Sequence, residues 1–141
     1  MRFEMITALR KKLKASEDFL ACTLKLKDAL EKEDSKATAT LLEERAELIA
    51  VIDATERQIA RLAPSPGERN PEDMRVLKKI SEDISDRLRR ASVVNDECDA
   101  LAAGRIERLK KELAALSSEE RGLKGYVHRG EQNPRFLDIQ T

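Results

Sequence analysis

Residues 71–116 read PEDMRVLKKISEDISDRLRRASVVNDECDALAAGRIERLKKELAAL, and this run decides the fold. Set at the helical period, Leu77, Ile80, Ile84, Leu88, Ala91, Val94, Cys98, Leu101, Ile106, Leu109, Leu113 and Leu116 share a sector about 140° wide. The opposite face is mostly charged, polar or small, with Val93 as the main exception. No proline interrupts the run after Pro71, and its one glycine, Gly104, lies outside the stripe. At 1.5 Å per residue the run makes a helix about 70 Å long. Other helices must cover such a seam, and part of it is left over for a partner.

Working outward toward the N-terminus, a first helix is expected over 3–32. Ile6, Leu9, Leu13, Leu20 and Leu24 share one face, and Phe19, Cys22, Leu26 and Leu30 add a second in its later half. A helix apolar on two sides meets two neighbours, or one neighbour and a client. Glu33-Asp34-Ser35 is a short turn in which Asp34 or Ser35 caps a second helix over 36–62. Its stripe is Leu41, Leu48, Ile52, Thr55, Ile59 and Leu62, flanked by Leu42 and Ile49. A turn that short favours an antiparallel hairpin. Ala63-Pro64-Ser65-Pro66-Gly67 then ends the helix, because proline lacks the amide hydrogen and clashes with the preceding turn. Asn70-Pro71-Glu72-Asp73 restarts one, with an Asn cap, proline at the first helical position and acids against the helix dipole. The fold class predicted is all-α: an antiparallel helical hairpin plus a long third helix that overhangs it, giving a three-helix bundle or coiled coil.

After Leu116 the pattern loosens. Ser117 or Ser118 is placed to cap a short fourth helix, and from Gly122 onward Gly122, Gly125, Gly130 and Pro134 disfavour regular helix. Leu123, Tyr126, Val127, Phe136, Leu137 and Ile139 nevertheless make this tail apolar, so it either folds back on the bundle or orders on a partner. The expected organisation is a helical domain over 1–121 and an irregular, short-helical or docking tail over 122–141.

Composition excludes much. Charged residues make 38% of the 141-residue chain and aromatic ones 3%, which suits thin helical seams rather than a thick core. Basic and acidic residues balance at 27 each, so no net charge draws the chain to nucleic acid or an anionic membrane. The run Arg10, Lys11, Lys12, Lys14 is a solvated helix face. No stretch approaches the ~20 apolar residues of a membrane span, and no signal-type apolar segment opens the chain. Cys22 and Cys98 stand singly, without metal-ligand or CxxC spacing, and are expected as small apolar core residues in a reducing, cytoplasmic setting. His128 is the only histidine, and no nucleophile motif, phosphate loop or metal motif occurs, so neither catalysis nor a cofactor is expected. Arg105 falls within the stripe's sector, where it snorkels at the edge or anchors a partner's acid.

Three segments carry a likeness to a known family. Ala29-Leu30-Glu31-Lys32-Glu33-Asp34 leads into Leu41-Leu42-Glu43-Glu44-Arg45-Ala46-Glu47-Leu48-Ile49. The third helix closes on Leu109-Lys110-Lys111-Glu112-Leu113, near Gly122-Leu123-Lys124-Gly125-Tyr126, and the terminus has Arg135-Phe136-Leu137-Asp138. Together they resemble the small flagellar export chaperones of the FlgN/FliT type. That resemblance implies a cytoplasmic protein that holds a late flagellar subunit, a filament-cap or hook–filament junction protein, by its amphipathic terminal helices. It would prevent premature assembly and deliver the subunit to the type III export apparatus. Physically this is helix-in-groove recognition along Ile106, Leu109, Leu113, Leu116 and Leu123. Tyr126, Val127, Phe136, Leu137 and Ile139 would be the docking or regulatory tail. The other reading is a structural coiled-coil or adaptor protein that homodimerises through the third-helix seam.

Overall fold

The computed structural model describes residues 2–62 and 70–127. Three helices make it up: α1 (Arg2–Glu31), α2 (Ser35–Leu62) and α3 (Pro71–Val127). The chain forms two compact units, Met1–Ala102 and Ala103–Thr141.

The first unit is a three-helix bundle running up, down, up. Lys12 pairs with Glu56, and the Cys22 thiol donates to the Leu41 carbonyl at 3.4 Å, so α1 and α2 are antiparallel. Met5 and Leu9 pack with Ile80 and Ile84 at one end, and Lys27 pairs with Glu97 and the Cys98 thiol lies 3.8 Å from the Thr23 carbonyl at the other, so α3 runs parallel to α1. Met5, Leu9, Ile80 and Ile84 form a buried cluster, closed by Ile6, Leu13, Ile59, Leu62, Leu77 and Leu88. The rest of the seam is built from small side chains: Ala8, Ala15, Ser16, Cys22, Thr23, Ala29, Thr55, Ala91 and Cys98 are all buried. Small residues at the contact let helix axes approach closely. Each buried hydroxyl is satisfied within its own helix: Ser16 donates to the Lys12 carbonyl, Thr23 to Phe19 and Thr55 to Val51.

This seam corrects one expectation. The face of α1 drawn through Ile6, Leu9, Leu13, Leu20 and Leu24 is core only in its first half, where Leu9 is buried and Ile6 and Leu13 pack against the cluster; Leu24 is 49% exposed and Leu20 half-buried. The buried set, Met5, Ala8, Leu9, Ala15, Ser16, Cys22, Thr23, Leu26 and Ala29, follows a heptad-like spacing. Hydrophobicity alone weights leucines, whereas the tightest contacts select small side chains, including two that are polar. The second face of α1 is therefore core, with Cys22 and Leu26 buried at its centre.

The helix ends follow local chemistry. α1 closes with the Asp34 amide on the Ala29 carbonyl at 2.9 Å and the Glu33 amide on Leu30 at 3.2 Å, with Glu33 left-handed at φ 55°. Asp34 then caps α2, its Oδ1 accepting from the Ala37 amide at 3.1 Å. Asn70 caps α3 as expected, its Oδ1 accepting from the Glu72 amide at 2.8 Å. The proline-rich connection, 63–69, lies outside the described residues.

α3 continues through Gly104, Ser117, Ser118, Gly122 and Gly125 to Val127. No fourth helix restarts at the serines, and from Gly122, where an irregular tail or a short helix was expected, α3 continues to Val127. Each glycine costs a helix only about 1 kcal/mol, and the leucines, alanines, lysines and glutamates around them favour helix.

Candidate functional site

The stripe of α3 changes character along its length. Within the first unit Ile80, Ile84, Ala91 and Cys98 are buried, and Leu77, Leu88, Val94 and Leu101 half-buried. In the second unit Ile106, Leu109, Leu113 and Leu116 continue the same line but are 54%, 47%, 59% and 61% exposed. The periodicity that buries the first half is carried on where no described helix covers it. Leu123, Tyr126 and Val127 fall in the last turns of α3. Phe136, Leu137 and Ile139 lie outside the described residues.

Charge frames the exposed stripe unevenly. At 100° per residue Arg105 and Lys110 fall on opposite flanks beside Ile106 and Leu109. Glu112 and Glu119 lie along one flank, Arg121 on the other, and Glu120 falls within the stripe itself. Arg105 and Glu120 are half-buried, while Lys110, Glu112, Glu119 and Arg121 are exposed. The stripe thus begins between two bases and ends on acids.

One residue has a part that periodicity did not reveal. Arg45, the arginine of the Leu41–Ile49 segment, is half-buried in the first unit. Its guanidinium lies over the Phe19 ring of α1, 5.2 Å from the centroid, and donates to Asn95 Oδ1 of α3. A single α2 side chain therefore ties all three helices, although its Nε is buried without a partner. The signal was available, because Arg45 sits one helical turn from Leu41 and Leu48 at the border of the apolar face.

Other chemistry is sparse. A shallow groove between α1 and α2 is floored by Cys22, Leu48 and Val51 and rimmed by Asp18, Lys25 and Glu44, charges of both signs. Among the described residues no group of three or more His, Cys, Asp or Glu is placed to hold a metal ion. None of their helices is long and apolar enough to cross a membrane. Cys22 and Cys98 are free thiols, and burial, the largest cause, pushes both above their ordinary value of 9.0.

No curated protein and no solved structure matches the chain. The model of the family described as FlgN protein matches residues 1–134, nearly the whole length. With an all-α bundle and an exposed helical stripe, this match makes the chain a member of the FlgN family of flagellar export chaperones.

Proposed function

We propose that this chaperone works in the cytoplasm and holds the amphipathic terminal helices of a late flagellar subunit, a filament-cap or hook–filament junction protein. The client helix lies along Ile106, Leu109, Leu113, Leu116 and Leu123. The observation that carries this reading is the exposure of the first four of these on one helical line. Contiguous exposed apolar surface on a charged helix marks a protein-binding site, and an amphipathic helix is its natural complement. Covering the client's apolar face prevents premature self-assembly, and release passes the subunit to the export apparatus.

Of the tail residues, Phe136, Leu137 and Ile139 act as a built-in competitor for the same stripe, with Tyr126 and Val127, at the end of α3 itself, leading into them. Occupancy by the tail lowers apparent client affinity in proportion to the fraction of chains it occupies.

Leu113→Asp is the direct test. It adds a charge at the centre of the stripe without touching the bundle core, and is expected to weaken client binding at least tenfold, about 1.4 kcal/mol or more. Isothermal titration with each candidate subunit reads the loss, and an unchanged affinity removes this surface from consideration. Removing residues 128–141 is expected to tighten binding, and no change would count against the competitor. Light scattering on the chain alone checks the remaining use of the stripe: a tight, client-independent homodimer would favour the adaptor reading.

A further inference from the structure

We infer that α3 is one helix of two stabilities: beyond Ala102 it supports itself, opens and closes independently of the bundle, and offers the stripe only while closed. Within the first unit α3 is held by its seam, with Ile80, Ile84, Ala91 and Cys98 buried. Among the described side chains of residues 103–122 none is buried, and only Arg105, Ser117 and Glu120 are half-buried. Helices in proteins draw most of their stability from packing an apolar face, and a short one without that packing is marginal in water. Arg105, Arg108 and Glu120 each have a partner within the protein, but polar contacts on an exposed helix hold it only weakly. Few buried apolar contacts and exposed backbone hydrogen bonds are the conditions for local opening.

The residues that weaken this helix stand where they remove no contact surface. Gly104 and Gly122 both lie inside α3, and a Cβ on either meets nothing within 4 Å. At 100° per residue both, with Ser118, fall on the face opposite Ile106, Leu109, Leu113 and Leu116. Glycine is a poorer helix former than alanine by about fivefold in equilibrium, and serine by less. Neither glycine is demanded by a close approach, so their effect is to lower the closed fraction while leaving the stripe intact. Once the helix opens, Ile106, Leu109, Leu113 and Leu116 no longer share a face. A partner that reads them as a line meets only the closed fraction, and its apparent affinity falls by that fraction. Binding in turn closes the helix, at an ordering cost that weakens the complex without reducing its contact area. This gating rests on the docking surface proposed above, whereas the independent opening does not.

Hydrogen–deuterium exchange on the full chain tests the opening. Relative to their unstructured rates, amides of 105–121 are expected to exchange about a hundredfold faster than those of 80–98. Gly104→Ala with Gly122→Ala should slow 105–121 about tenfold and leave 80–98 unchanged. Ala91→Leu, which strains the bundle, should do the reverse, speeding 80–98 alone. A common rate for the two segments, or glycine changes that slow both alike or neither, overturns the inference. Isothermal titration with the filament-cap and hook–filament junction subunits then reads the gating. A subunit that binds is expected to bind the double-alanine form about twofold tighter, the ceiling being the reciprocal of the closed fraction. Slowed exchange with unchanged affinity overturns the gating. If neither form binds either subunit, the docking surface falls, and the exchange rates still decide the independent opening.

Discussion

Ala91 has no exposed surface and faces the other two helices of the bundle, so its single methyl group sets how closely they approach. Ala91→Leu has no space to enter and should destabilise the bundle by about 1–3 kcal/mol, read as a lower denaturant midpoint at unchanged slope. The buried thiols make a second prediction at this scale. Desolvation raises both cysteines above 9.0, Glu44 raises Cys22 further, and Arg45 pulls both down. A raised folded value means that the folded chain keeps its proton where the unfolded chain has lost it. Their contribution is therefore fully present below pH 9.0 and is lost as pH rises through the raised values. Lys27 is held above its ordinary 10.5 by its hydrogen bond to Glu97, and its contribution fades only at still higher pH. Thermal melting should thus be insensitive to these groups from neutrality to about pH 8.5 and fall beyond it. Replacing both cysteines with alanine should remove the earlier part of that fall. A thiol reagent should label Cys22 and Cys98 at the rate of unfolding, and rapid labelling of the folded chain would contradict their burial.

Helix ends and helix glycines give the predictions at the scale of elements. The turn between α1 and α2 uses glutamate where glycine is the usual choice, with Glu33 left-handed at φ 55°. That conformation costs a residue with a Cβ about 1–2 kcal/mol. Glu33→Gly should recover part of this, about 0.5–1 kcal/mol after the extra freedom of the unfolded glycine is counted. Asn70→Ala removes the side chain that caps α3 and should cost about 1 kcal/mol. Gly104 is the converse case: it lies inside a continuous helix, and a Cβ there meets nothing within 4 Å. Gly104→Ala should stabilise the helix by about 0.5–1 kcal/mol, measurable as a higher melting temperature. The starts of α2 and α3 were legible in Asp34 and in Asn70-Pro71 because capping is local chemistry. The far end of α3 was not, because glycines argue for a break while a favourable flanking sequence outweighs them.

At the scale of the bundle, Arg45 is the side chain that joins its three helices. Arg45→Ala loses the contact with Phe19 and leaves Asn95 without its guanidinium donor, and should cost about 1–3 kcal/mol. Arg45→Lys should recover little, since a point charge lacks the planar fork that stacks on a ring while donating sideways. Equal stability of the arginine and lysine forms would show that the tie contributes charge alone.

The sequence by itself determined the three helices, their all-α class, the hairpin turn, the α3 cap and the exposed stripe from Ile106 to Leu116. All of these depend on periodicity or on neighbours within a few residues. Only the tertiary structure decided how far each face of α1 is core, that α3 runs parallel to α1, and that Arg45 bridges the three helices. The reason is that packing rewards close approach as well as hydrophobicity: Ser16, Thr23 and Thr55 are buried because they are small and bond their own helix, while the larger and more apolar Leu24 is left in water.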